Sequence, residues 1–215
     1  MGKFDGRTSR LFYDIKAIQK EQNLTSVIGQ AIVTMDYSKE KRDIKIETIF
    51  DNVTTLSFWI QFDKKYNILN IDATGNNKGE LFYFKASKNM KKLHLSFRSK
   101  DVGNTHVQKM KEEYLENNTL MFLLKEHMGD REEWEVDVFN PLLSSFILTT
   151  VKRITTEEQV EFQGKKIVCT RYGISGVQTN VVTQFFVFDN EDNKLMKSIN
   201  GNILFELTSV EGGNE

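Results

Sequence analysis

DIKIETIF, from Asp43 to Phe50, is followed after four residues by TLSFWIQF, from Thr55 to Phe62. Side chains of an extended chain alternate between two faces. In the first stretch Ile44, Ile46 and Phe50 therefore share a face, and in the second Phe58, Ile60 and Phe62 do. Each reads as a β-strand packed inward on one side. The same alternation recurs in KKLHLSFRS, where Leu93, Leu95 and Phe97 line up, and it continues to both ends of the chain.

Turn residues separate these stretches at hairpin intervals: Ser38 to Arg42, Asp63 to Lys65, Gly75 to Gly79, Ser87 to Asn89, Asp101 to Asn104, Gln163 and Gly164, Gly173 to Gly176, Asp189 to Asn193, and Asn200 to Asn202. Connections this short join antiparallel neighbours, since a parallel crossover takes about a dozen residues or more. A meander of about a dozen strands is the expected result.

NNTLMFLLKEHMGD, from Asn117 to Asp130, breaks the alternation. Asn118 suits an N-cap, Gly129 a C-terminal stop, and Lys125 and His127 the negative end of a helix dipole. The spacing predicts a helix near 119–128. Leu120, Met121, Phe122, Leu123, Leu124 and Met128 make it apolar nearly all round, so it should be buried. The expected fold is mostly β: one domain over 1–215, a long antiparallel meander curled as a spiral or half-barrel around one buried α-helix. Pro141, in VFNPLLSS, should mark an irregular link between strands, and the tail EGGNE should fray.

Composition narrows the function classes. Of the 215 residues 39% are hydrophobic and 27% charged, ordinary for a packed globular chain. The 29 Lys and Arg nearly cancel the 30 Asp and Glu, unlike a dedicated nucleic-acid binder. Lys88, Lys91, Lys92, Lys109 and Lys111 cluster, interleaved with Phe97 and Tyr114, and read as solvated strand faces. No apolar run is long enough to span a membrane, and MGKFDGRTSR lacks a signal-peptide core. Gly6 stands where a myristoylation site wants Ser or Thr.

Cys169 is the only cysteine, which excludes an internal disulfide, and it reads as a small buried hydrophobe. A turn at Asp101 to Asn104 would set His94 opposite Lys111 and His106 opposite Ser99. The two imidazoles would then lie about 15 Å apart at about 3.3 Å per residue, too far to share a zinc with ligands at about 2 Å. YGISGVQ holds Ser175 between Gly173 and Gly176 but lacks the strand-turn-helix context of a nucleophile elbow. No P-loop or dinucleotide fingerprint occurs, and no cofactor or metal site is expected. The acids Glu126, Asp130, Glu132, Glu133 and Glu135 read as a solvated loop, with a hydrolase or other enzyme using them as the alternative. The sequons at Asn23, Asn52 and Asn117 carry weight only in a secreted eukaryotic setting.

Aromatic residues stand on both faces of several strands: Phe58, Trp59 and Phe62, then Phe82, Tyr83 and Phe84, then Phe185, Phe186 and Phe188. A sheet buried on one side does not need that. Core packing of a tightly curled sheet accounts for it, as does a partner surface or an apolar cleft between helix and sheet. Phe58, Phe84, Leu120, Leu124 and Phe186 are the expected lining of such a cleft.

From the helix onward, TLMFLLKEHMG, SFILTTVKRI, EFQGKKIVCTRYGI with Gly164 at its turn, QFFVFDNEDNKLMKSING and NILFELTSV resemble in layout the β-spiral proteins of the bacterial cell envelope, an uncharacterised domain family. The resemblance covers roughly the second half of the chain. It implies a sheet spiralling around a central helix, somewhat like envelope lipoprotein carriers, with no catalytic residues to carry over. It also implies a periplasmic or extracytoplasmic location if a signal peptide was trimmed, and a cytoplasmic one otherwise. A non-enzymatic scaffold that binds a protein partner or a lipid-like apolar ligand, with no nucleic acid and no membrane span, is the expectation.

Overall fold

The computed structural model describes residues 8–19, 24–38, 41–51, 53–100, 102–176 and 182–212. In chain order the first strands are β1 (Thr8–Gln19), β2 (Leu24–Tyr37), β3 (Lys41–Phe50), β4 (Thr54–Asp63), β5 (Ile68–Asn77), β6 (Glu80–Asn89), β7 (Lys92–Ser99) and β8 (Val102–Lys109). After the two-residue β9 (Leu115–Glu116) comes α1 (Leu120–Met128), then β10 (Glu133–Asn140), β11 (Ser145–Phe162), β12 (Lys165–Gly176), β13 (Val182–Asp189), β14 (Leu195–Asn200) and β15 (Ile203–Glu211). All fifteen strands belong to one sheet, ordered β8-β7-β6-β5-β4-β3-β2-β1-β15-β14-β13-β12-β11-β10-β9. Neighbours from β2 to β8 and from β10 to β15 pair antiparallel, and β9 pairs β10 in parallel across α1. The mostly β, antiparallel meander with one buried helix is thus the observed fold class.

By compactness the chain divides into two units, Met1–Tyr13 with Ile28–Lys111 and Ser209–Glu215, and Asp14–Val27 with Glu112–Thr208. In the first, the apolar alternation aligns into rows. Ile46, Phe58, Ala73, Phe84 and Phe97 are successive cross-strand partners from β3 to β7, and Ile44, Ile60, Ile71, Ala86 and Leu95 form the next row. Such pairs are the packing unit of a sheet. Gly75 lies opposite Phe82, and a Cβ there would run into the Phe82 ring, so only glycine lets that ring lie flat on the strand. The rows change character at the last strand: Phe97 faces Asn104 and Leu95 faces His106 on β8.

The second unit holds α1, which packs against β14. Leu120, Phe122, Leu123, Leu124 and Met128 are buried, as its composition implies. The cap differs from the expected one. Thr119, not Asn118, is the N-cap, and its side chain makes no capping bond. Buried Glu116 does that work: its carboxylate accepts the Thr119 N–H (2.9 Å), the Thr119 hydroxyl (2.9 Å), the Asn118 N–H (3.0 Å) and the Asn118 Nδ2 (2.7 Å). Gly129 closes the helix with φ 53° and its N–H on the Lys125 carbonyl at 3.1 Å.

Several turns also move. Gln163 and Gly164 form the expected tight turn, both with positive φ (50° and 74°), as the primed hairpin turns require. Gly173 to Gly176 is no turn but the end of β12, and a Cβ on Gly173 would meet the side chains of Ile154 and Val182. The glycine answers crowding, not bending. Ser87 to Asn89 lies in β6, and the β6–β7 turn is at Met90 and Lys91. Val102 to Asn104 lies in β8, with Asp101 outside the described residues, as are Gly6, Asn23, Asn52 and the end of the tail. Pro141 sits in the turn between β10 and β11, where Asn140 Oδ1 accepts the Leu143 N–H at 3.1 Å.

Candidate functional site

β8 ends the sheet order, so among the described residues its second backbone edge has no strand paired to it. Its ladder to β7 is unbroken from Lys92↔Lys109 to Ser99↔Val102. One bond fixes which groups are used: the Met110 N–H donates to the Lys91 carbonyl at 2.9 Å. Bonded pairs alternate along an antiparallel ladder. Val102, Asn104, His106 and Gln108 therefore bond to β7, while Gly103, Thr105, Val107 and Lys109 turn their N–H and C=O groups outward. Among the described residues the one bond to these groups is from Gln108 Nε2 to the Lys109 carbonyl, 2.9 Å. Every β8 residue except Gln108 is exposed.

The same ladder corrects the histidine register. His94 lies opposite Val107, and His106 opposite Leu95. Directly paired residues share a face and successive ones alternate, so the two imidazoles point to opposite faces of the sheet. Gly103 and Asn104 look like turn residues and misplace the hairpin by two residues, which shifts every pairing.

On the face shared by His94, a groove of about 500 Å³ crosses β4 to β8. Its rows are Trp59, Asp72, Lys85, Ser96 and Thr105, and beside them Asn70, Ser87, His94 and Val107. Lys85 pairs with Asp72 at 3.2 Å. A second groove of about 330 Å³ runs on along β7 and β8 past Arg98 and Gly103. Arg98, Lys92 and Lys109 are exposed and have no ion-pair partner among the described residues.

The residues expected to line an apolar cleft lie elsewhere, and in two sets. Phe58 and Phe84 sit in the first unit, joined through Ala73 in one core row and each only 3% exposed. Leu120 and Leu124 on α1 and Phe186 on β13 are buried in the second unit. Nothing in the sequence marked β8, beyond its polar residues on both faces.

The acidic segment is spread along a strand entrance. Glu132 pairs with Arg153 at 3.0 Å and Glu133 with Lys152 at 3.4 Å, both on β11, and Glu126, Asp130 and Glu135 are exposed. Arg153 also donates to the carbonyls of Gly129 (3.1 Å) and Arg131 (2.9 Å), tying the helix exit to the sheet. Buried Cys169 lies between Glu158 and Asp189 in the ladder, and burial followed by these two carboxylates pushes its thiol up to about 11. A thiol held protonated is a poor nucleophile. His127 stacks on Trp134 at 6.4 Å at the helix end. Burial lowers Lys125, against the pull of Asp189, and its ammonium donates to the Asp189 carbonyl at 2.6 Å.

No family model matches the chain, and no curated protein matches it. Among solved structures it is similar to a crystal structure described as a β-barrel-like protein of a domain of unknown function, DUF1849, from Brucella abortus. The TM-score is 0.55 at 14% identity, over 98% of this chain and 100% of that chain. At that identity the likeness is one of fold, to an uncharacterised bacterial domain.

Proposed function

We propose that the protein is a non-enzymatic binding module that captures a protein partner by adding one of the partner's strands to β8. The open backbone row at Gly103, Thr105, Val107 and Lys109 carries this reading. Natural sheets blunt such edges with bulges, proline, charged side chains such as lysine, very short strands or covering elements, and of these β8 has a single lysine, Lys109, at its end. Eight bulge-free residues, seven of them exposed, are instead a template on which an extended peptide can pair. The groove beside Thr105 and Val107 offers the side-chain contacts that main-chain pairing alone lacks. An apolar ligand is the weaker reading, because the aromatic and aliphatic residues that would line its cleft are buried in packing contacts. An extracytoplasmic setting belongs to the same proposal, supported by the resemblance in layout to envelope proteins. Fractionation of cells expressing the full gene tests it.

Selection of extended peptides from a display library tests the binding mode. A selected peptide should slow amide exchange at Gly103, Thr105, Val107 and Lys109. Failure to select any, or protection confined to another strand, would refute strand addition.

A further inference from the structure

We infer that the strand added to β8 is acidic, with carboxylates six positions apart on the face that carries His94. This rests on strand addition at β8 and names the partner's chemistry. From Glu80 at the start of β6 to Lys109 at the end of β8 stand seven Lys and Arg against two acids, Glu80 and Asp101, in a chain whose net charge is −1. The excess is therefore local to the last three strands before the open edge. Its placement is specific. On the groove face Arg98 is directly opposite Gly103, and Lys92 directly opposite Lys109. Glycine carries no side chain, so nothing on β8 stands between Arg98 and a strand laid beside it. Strands lie about 4.8 Å apart, which puts an added strand about 10 Å from β7, within joint reach of an arginine and a glutamate.

A carboxylate paired beside Gly103 meets the Arg98 guanidinium, and one beside Lys109 meets both Lys109 and Lys92. Residues 103 and 109 are six apart, so the two carboxylates are six apart as well. Between them, partner side chains beside Thr105 and Val107 face the groove lined by Ser96 and His94. The Lys92 and Lys109 pair supports the same conclusion from the other side. Like charges directly opposite are unfavourable in a sheet, and neither has a counter-ion among the described residues. A bound carboxylate supplies it. Protection of the edge by lysine would put the charge on the edge strand itself. β8 carries only Lys109, and the rest lies behind it on β6 and β7 or in the turns. Among polyanions a peptide fits best, because only another peptide backbone satisfies the outward N–H and C=O row.

The test uses the full chain and two synthetic peptides of about ten residues, rich in Thr and Val, that differ only in having Glu or Gln at two positions six apart. The Glu peptide should bind about tenfold more tightly, and the difference should shrink with added salt. Arg98→Glu should abolish the preference, and Val107→Pro should abolish binding of both peptides. Equal binding of both peptides, with loss on Val107→Pro, would overturn the acidic preference and leave strand addition standing. Binding of the Glu peptide that survives Val107→Pro would overturn both. An oligothymidylate or an anionic phosphatidylserine vesicle that binds more tightly than the Glu peptide, and is indifferent to Val107→Pro, would show that the surface reads general polyanions and would overturn the assignment.

Discussion

β8 and β9 are the two terminal strands of the sheet order, and they are built on opposite plans. β9 is two residues long, both buried, and runs directly into the Glu116 cap and α1. β8 is eight residues long, and its residues are polar or exposed on both faces. A short strand followed by a helix is a blunted edge, whereas a long one without a bulge is available for pairing. The contrast teaches that within one sheet, stability and availability are assigned to different ends: packing is concentrated where the helix begins, and unpaired backbone where the chain turns away after β8.

Substitutions should sharpen that contrast. The largest effect is expected in the helix, where Leu124 is fully buried. Leu124→Ala should cost about 3–5 kcal/mol, against less than about 0.5 kcal/mol for Val107→Ala at the open edge, both read by urea denaturation. Equal costs would remove the distinction between the two ends. Next is the cap. Glu116→Gln replaces one carboxylate oxygen by a donor and leaves buried N–H groups without an acceptor, so about 1–3 kcal/mol should be lost. Burial pushes the Glu116 carboxyl up while its four hydrogen bonds hold it down, burial being the larger.

Proline placed along β8 separates its two backbone edges. His106→Pro deletes a donor to β7 and should cost about 2–3 kcal/mol. Val107→Pro deletes an outward donor and should cost under about 1 kcal/mol. The reverse order would mean that the ladder parity is wrong.

A small effect is also expected at the ion-pair cluster of the second unit. Glu206 accepts from Lys16 at 2.6 Å and pairs with Lys197 at 2.9 Å. Desolvation raises its carboxyl, but the hydrogen bonds and charges of the two lysines together outweigh it and hold it below its usual value. A depressed carboxyl contributes stability above its unfolded value, and that contribution is lost as pH falls through the folded one. Glu206→Gln should thus cost less than about 1 kcal/mol at pH 7 for this partly exposed cluster. The gap to the native protein should close on acidification below about pH 4.

Period-two alternation fixes which face of Ile44, Phe58 or Leu93 turns inward, and the all-apolar run Leu120 to Leu124 identifies the buried helix. Strand order is a different kind of information. That β8 is terminal depends on which non-consecutive strands meet, here β1 beside β15, and no local pattern encodes it. Register is equally exposed to local error. Gly103 and Asn104 have turn chemistry yet sit in a strand whose core-facing positions are Asn104, His106 and Gln108, and Gly173 is a strand residue because Ile154 and Val182 occupy the space of its Cβ. Glycine and asparagine mark tight turns and uncovered or crowded strands alike.

Amide hydrogen exchange along β8 in the free protein tests the open edge most directly. The amides of Asn104, His106 and Gln108 should be protected by their bonds to β7, and those of Gly103, Thr105, Val107 and Lys109 should exchange at rates near those of an unstructured chain. That alternation is the predicted result. Uniform protection of all seven amides would show that the edge is already covered, and would contradict the account.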